Sequence, residues 1–384
     1  MKKYFFLLLV IILSINKVYA NNDDNLIKGA RSGVLMEASS GKIVFEKNKD
    51  EKVAIASMTK MVAQIIILEN IENGNLSWDE TVTASSNASG MGGSQIYLQT
   101  GEKMTVRDLL KGITMASAND ATVAMAERIS GTESQFVKLM NQKVKDLGLK
   151  NTVFKNSTGL DEDGHYSTAY DMAVIAKELL KHEDILKFSS VYEDYLRVNT
   201  PNKFWLVNTN KLVRFYDGAD GLKTGFTDNA KYCMAVTAKR NNMRLIAIVL
   251  GEETGKVRNQ ETMELLDYGF NLYKVDLIKS KNDVVGYINI DKADKTNVKV
   301  YPINDITILG KKSDVSLNYK VDLELEDLKL PINKDSVVGK ILVKSGNKTV
   351  MKVDAVIKDD LKKLSFIKLF GVILKDIIMG NLMY

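Results

Sequence analysis

Apolar and polar positions along the chain change period several times, and each change marks an element. Residues 33–36 and 42–46 flank Ser39-Ser40-Gly41, which predicts a β-hairpin. Over residues 57–73 the period becomes helical, and Met61, Val62, Ile65, Ile66, Ile67 and Leu68 leave almost no polar face. A helix that apolar is buried on most sides, and Gly74 ends it. Thr105 and Asp108 read as a capping box ahead of Leu109, Leu110 and Ile113. Thr132 to Gln135 opens another helix, with Phe136, Leu139, Met140, Val144 and Leu147 at helical spacing and Gly148 as its stop. A further helix is predicted over about 168–181. From residue 221 the pattern reads as strand, over 222–227, 232–238 and 244–249, with Asn241-Asn242 in the second turn. Strands at both ends with helices between them imply an α/β unit spanning residues 25–272, one sheet of sequence-distant segments covered by helices.

Beyond Lys274 the helical period is lost. Short alternating runs at 284–290, 298–301, 321–325 and 350–356 lie between polar turns, so residues 273–358 are predicted to form a smaller, β-rich domain. Residues 359–384 differ again. Ser365, Lys368, Lys375 and Asp376 fall on one helical stripe, with Phe366, Ile367, Leu369, Phe370, Ile373, Leu374, Ile377 and Ile378 around the rest. The apolar run is too short to span a bilayer. The expectation is a C-terminal amphipathic helix lying on a membrane surface, with docking on protein as the competing use of so wide an apolar face. At the other end, Lys2 and Lys3, an apolar stretch over 4–13 and Val18-Tyr19-Ala20 form a signal peptide of residues 1–20. The chain is therefore expected outside the cytoplasm, peripheral to the membrane.

Removing that segment takes away Lys2, Lys3 and Lys17 and no acids, which lowers the formal net charge from +5 to +2. A balance so close to neutral excludes the electrostatic footprint of a nucleic-acid binder. Cys233 is the one cysteine, so no internal disulfide exists, and its apolar surroundings place it in the core. His165 and His182 are the only histidines. That scarcity argues against a zinc site and against a Ser-His-Asp triad; both rings are expected on the solvated surface. No metal or cofactor is expected.

With histidine scarce, a lysine is the base that could activate a serine, provided that burial or neighbouring positive charge lowers its pKa. Residues i and i+3 share a helix face, so Ser57-Met58-Thr59-Lys60 places a hydroxyl beside an amine. The helix N-terminus disfavours the ammonium there and favours negative charge developing on the serine oxygen. The spacing alone is weak evidence, since Ser14/Lys17, Ser39/Lys42, Ser345/Lys348 and Ser365/Lys368 share it. Only Ser57 opens a buried helix. Ser117-Ala118-Asn119 lies between two predicted helices, where a loop can project a hydroxyl and an amide into a cleft. Singly, that triplet reads as a helix cap, and Ser85-Ser86-Asn87 repeats it. Lys223-Thr224-Gly225 occurs once, on a predicted strand, where Gly admits close backbone approach and Lys offers a cation to a carboxylate.

The three motifs in this order are the recognised signature of penicillin-binding proteins and class A β-lactamases. The chain resembles the low-molecular-mass penicillin-binding proteins, the serine D-Ala-D-Ala carboxypeptidases, over about residues 30–269. Further matching stretches are Gly93-Ser94, Asn156-Ser-Thr-Gly-Leu160, Ser167-Thr-Ala-Tyr-Asp-Met172 and Gly221-Leu-Lys-Thr-Gly-Phe-Thr227. The resemblance implies a β-lactamase/transpeptidase-like catalytic domain, the smaller β domain and the terminal anchor. It implies Ser57 as nucleophile, Lys60 as base and Ser117 as proton relay. It also implies Asn119, Lys223, Thr224, Gly225 and Phe226 as substrate contacts, with the backbone N–H groups of Ser57 and Phe226 as oxyanion hole. The substrate would be a peptidoglycan stem pentapeptide ending in D-Ala-D-Ala, and β-lactams would acylate Ser57 as inhibitors. Some members carry His where this chain has Phe226, a departure that removes a polar side chain and keeps the backbone N–H. Two rival readings are a β-lactamase, disfavoured by Ala118 in the second motif and by Glu162 lacking the expected surroundings, and a catalytically weak penicillin-binding sensor.

Overall fold

The computed structural model describes residues 26–314 and 318–365, with Ile367 and Phe370. The predicted signal segment and most of the terminal helix lie outside the described residues. Five antiparallel strands form the central sheet: β1 (Ser32–Glu37), β2 (Ile43–Lys47), β3 (Ala219–Thr227), β4 (Lys231–Arg240) and β5 (Met243–Glu252), in the spatial order β2-β1-β5-β4-β3. The first strand of this sheet therefore pairs with its last, Leu35 opposite Ala247, and segments from the two ends of the unit close one sheet.

Period-2 alternation sends these strands' side chains to two cores. Val34, Met36, Ala235, Ile246 and Ile248 pack with the helices α1 (Lys60–Glu72), α2 (Val106–Met115), α3 (Asn119–Ser130), α4 (Glu133–Asp146) and α5 (Ala169–Leu179). Leu35, Val236, Leu245, Ala247 and Val249 pack with Leu265, Leu266 and Phe270 of α6 (Gly255–Leu272). Burial on both faces explains why β4 and β5 read as almost continuous apolar runs. The helices expected to open at Thr105 and Thr132 do so, with those hydroxyls accepting from the backbone N–H of Asp108 and Gln135; Thr168 caps α5 in the same way at Asp171 N–H. Leu139 differs from expectation: it is exposed, because α4 buries only the stripe formed by Phe136, Val137, Met140 and Val144.

A second five-stranded sheet follows in the order Gly286–Ile288, Val298–Pro302, Lys348–Ile357, Val337–Ser345, Tyr319–Leu325, over its own core of Val300, Val338, Ile341, Val343, Ala355 and Ile357. A two-stranded ribbon, Tyr273–Lys279 with Ile306–Lys311, leads out of α6. Residues 359–365 depart from the helix predicted for them. Leu361 is buried and exchanges backbone hydrogen bonds with Ile332, and Leu364 N–H donates to Lys292 O. The competing contact is tertiary: Leu361 joins the core of the β-rich unit and holds the chain extended.

Candidate active site

The first motif begins in a 3-10 turn, Ala56–Thr59, and Lys60 is the first residue of α1. The turn is tight enough to put Lys60 Nζ 2.9 Å from Ser57 Oγ. Lys60 also donates to Thr158 O at 2.6 Å, and no part of its side chain reaches solvent. Burial above all, and then the charge of Lys223, hold the Lys60 amine well below the ordinary lysine range; Asp120 pulls weakly the other way. Lys223, on β3, is lowered to about 7 by burial and secondarily by Arg258. Two buried amines in one site cannot both stay charged, and the environments separate them. Burial and the neighbouring charge both favour a neutral amine at Lys60, beside Ser57.

The third motif reaches the first through Gly225. A Cβ added there would sit 2.7 Å from Ile55 O and 3.2 Å from Ser57 N, so β3 runs against the turn that carries the nucleophile. Thr224 is buried beside it. The Phe226 side chain is not drawn into the cluster. It is half exposed and packs on Tyr232, with ring centroids 4.4 Å apart.

The second motif enters from the α2–α3 junction. Ser117 has φ +61°, a left-handed conformation that turns the chain sharply before Asn119 opens α3. Asn119 is anchored by its N–H to Ser94 O and its Nδ2 to Gly92 O, each at 2.7 Å. Ser117 Oγ and Asn119 Oδ1 are buried with no hydrogen-bond partner among the described residues, which marks them as groups able to engage a ligand. The look-alike motifs among the described residues are structural. Ser85 caps a short helix at Ala88 N–H, Ser39 binds Glu37, and Ser345 faces Lys348 across a hairpin.

Two residues outside the predicted catalytic and substrate contacts brace the site. Asn156 Oδ1 accepts from Thr158 N–H, Gly159 N–H and Thr158 Oγ1–H, which shapes the loop that presents Thr158 O to Lys60. An Asn followed by Gly three residues later was the available signal. Asp120 accepts from Ile96 N–H and Leu98 N–H and locks the 92–98 segment against α3.

The histidines correct the surface expectation, since both are buried. His182 Nδ1 lies 2.8 Å from Glu72, tying the end of α1 to the segment after α5. His165 Nδ1 accepts from Lys155 N–H, so the proton sits on Nε2, which donates to Thr59 Oγ1 at 2.8 Å; Thr59 Oγ1–H in turn donates to Ala56 O. This chain steadies Ala56, which holds φ +48° immediately before Ser57. Burial pushes the His165 pKa down to about 4. Unfolded, the ring binds a proton near pH 6.5, so between pH 6.5 and 4 the unfolded state holds the extra proton and stability falls as pH falls. The loss should reach about 3 kcal/mol at pH 4 relative to pH 7. Urea titrations of wild type and His165→Gln should then differ in pH slope across that window; identical slopes would remove His165 from the account.

Sequence comparison places these features among known proteins. The profile of the family "D-alanyl-D-alanine carboxypeptidase" matches residues 20–254, and that of "Penicillin-binding protein 5, C-terminal domain" matches residues 273–363. D-alanyl-D-alanine carboxypeptidase DacF of Bacillus subtilis is 47% identical over 339 residues, covering 88% of this chain and 87% of that protein. The crystal structure of penicillin binding protein 5 from Haemophilus influenzae superposes with a TM-score of 0.70 at 31% identity, covering 87% of this chain and 98% of that one. Penicillin-Binding Protein D2 from Listeria monocytogenes, solved in its ampicillin-bound form, matches 63% of this chain and 98% of its own at 34% identity, with a TM-score of 0.57.

Proposed function

Because this chain belongs to the D-alanyl-D-alanine carboxypeptidase family, we propose that it removes the terminal D-alanine of peptidoglycan stem pentapeptides through an acyl-enzyme on Ser57. The observation that carries the assignment is the 2.9 Å contact between Ser57 Oγ and a buried amine whose proton is driven off. As a neutral amine Lys60 donates one N–H to Thr158 O and turns its lone pair to the Ser57 hydroxyl.

Ser57 Oγ attacks the carbonyl carbon of the penultimate D-alanine while its proton passes to Lys60. The backbone N–H groups of Ser57 and Phe226 receive the developing oxyanion, an effect commonly worth about 10²–10³ in rate per donor. Because this role falls to the Phe226 backbone, the outward-turned ring is compatible with it. The C–N bond then breaks and the leaving amine takes a proton relayed from Lys60 through Ser117. Asn119 hydrogen-bonds the substrate peptide, and Lys223 and Thr224 hold its terminal carboxylate, with Gly225 keeping the strand close. Water adds to the ester carbon, the Oγ–C bond breaks, and the proton returns to Ser57. A β-lactam follows the same first step, but its leaving nitrogen stays tethered and the ester persists. Glu162 is exposed and accepts from Asn156 Nδ2, which does not suit a buried water-activating base of the class A β-lactamase kind.

Residues 1–20 are read as the export signal. The stretch after residue 365 is read as a surface anchor, a reading supported by the exposed pair Ile367 and Phe370, three residues apart on one helical face. No helix among the described residues is long and apolar enough to cross a membrane.

The test is D-alanine release from a synthetic stem pentapeptide, with mass spectrometry of penicillin-treated protein. One adduct on the peptide containing Ser57, together with D-alanine release, is expected. An adduct without release would support the sensor reading, and an adduct elsewhere would refute the assignment.

A further inference from the structure

A second cleft lies apart from the Ser57 motif. It has a volume of about 880 Å³ and lies between the 96–108 segment and the hairpin formed by Glu193–Leu196 and Phe204–Val207. Two non-glycine residues lining it, Tyr97 at φ +58° and Arg197 at φ +54°, occupy the left-handed region. Such conformations cost about 1–3 kcal/mol each and persist only where the surroundings over-determine them.

Here they are over-determined. The N–H groups of Ile96 and Leu98 are held by Asp120, and the carbonyls of Ile96 and Tyr97 accept from Arg197 at 3.0 and 3.4 Å. Arg197 is itself fixed by a two-pronged contact to Glu102, at 2.6 and 3.1 Å. The product of this grip is a Tyr97 ring left 62% exposed, with Phe204 edge-on at 5.9 Å. Core packing does not account for a strained backbone that keeps an aromatic ring in solvent.

We propose that this cleft is a subsite for the sugar strand that carries the stem peptide, with the ring of Tyr97 as its platform. The inference rests on the carboxypeptidase reading. The lining chemistry selects the ligand class. Arg197 and Glu102 neutralise each other, Asp108 faces Lys111 at 3.6 Å, Lys103 contributes an exposed ammonium, and Gln99, Thr100, Thr200 and Asn202 offer uncharged amides and hydroxyls. An aromatic face with neutral donors and acceptors around it suits an N-acetylated sugar, whose C–H face is apolar and whose edge is polar.

Reach agrees with this occupant. Asn119 N–H binds Ser94 O, and Tyr97 follows three residues later, at most about 11 Å along the chain. Four substrate residues precede the scissile bond and extend at most about 14 Å before the sugar begins. A peptide held at Asn119 therefore delivers its sugar end within range of the cleft.

The test uses the full chain with a neutral tetramer of N-acetylglucosamine as probe, titrated calorimetrically, and compares hydrolysis of free pentapeptide with that of pentapeptide attached to soluble glycan strands. Tyr97→Ala should weaken tetramer binding at least about tenfold and raise KM for the strand-linked substrate by a similar factor at constant kcat; Tyr97→Phe should retain both. Gln99→Ala, an exposed change in the same cleft, gives a second readout should Tyr97→Ala fold poorly, with weakened tetramer binding expected. Equal tetramer affinity in wild type and both alanine variants, or no binding by wild type, would overturn the subsite. Failure to release D-alanine from free pentapeptide would instead overturn the carboxypeptidase reading, which the titration does not depend on.

Discussion

Lys60→Met should lower kcat/KM for D-alanine release by about 10⁴-fold while leaving the protein folded. Methionine keeps most of the side-chain volume at a position with no solvent exposure, so the substitution removes the amine and little else. What is lost is the acceptor 2.9 Å from Ser57 Oγ, and a serine hydroxyl without a base is a poor nucleophile. A general base alone contributes about 10²–10⁴, and a nucleophile and base acting as a unit contribute up to about 10⁶. Ser57→Ala should therefore cost a comparable factor, and the double variant little more than either. Labelling by a fluorescent penicillin should fall in parallel, because acylation is the shared step. Turnover of Lys60→Met within tenfold of wild type would show that another group takes the Ser57 proton.

The second large effect concerns a residue with no chemistry of its own. Gly159 follows Thr158 at φ +84°, and a Cβ added there would lie 1.9 Å from Ala56 O. The obstructing atom is backbone and also receives the Thr59 hydroxyl, so neither partner can yield cheaply. Gly159→Ala should cost about 3–5 kcal/mol, the sum of left-handed strain and overpacking. It should also abolish measurable acylation at temperatures where the variant is still folded, because Thr158 O and Ala56 both move. Gly148→Ala is the control: its φ is +74° but nothing lies within 4 Å of the added Cβ, so only the conformational cost of about 1 kcal/mol remains. Thermal denaturation of both variants, with penicillin labelling of each, checks the pair; equal losses would mean that packing on Ala56 O is unimportant.

These two substitutions also mark how far the sequence could be read. Lys60 was legible because its relation to Ser57 is local, three residues on one helical turn. Gly159 belonged to a stretch matched only by resemblance, and nothing within four residues of it reveals that it packs on a carbonyl more than a hundred residues earlier. The histidines failed for the same reason. His165 sits among Gly164, Asp163 and Glu162, a loop composition that reads as solvent-exposed, yet Phe154 and Thr59 cover its ring. Residues 359–365 carried too little pattern to separate a helix start from an extended strand, and Leu361 joined a core assembled from distant strands.

The sequence by itself determined the helical and strand periods, the helix starts at Thr105 and Thr132, and the nearness of Lys60 to Ser57. Each of those is an interaction over a few residues or a period that burial on one face imposes. Tertiary structure alone decided how completely Lys60 and Lys223 are buried, that Thr158 O and Asp120 brace the site, and that Tyr97 is held outward over a second cleft. Those properties come from desolvation and from hydrogen bonds such as Lys60 to Thr158 and Arg197 to Ile96, which span about a hundred residues. Local periodicity carries no record of such contacts; they exist only once the helices and the sheet have excluded water between them.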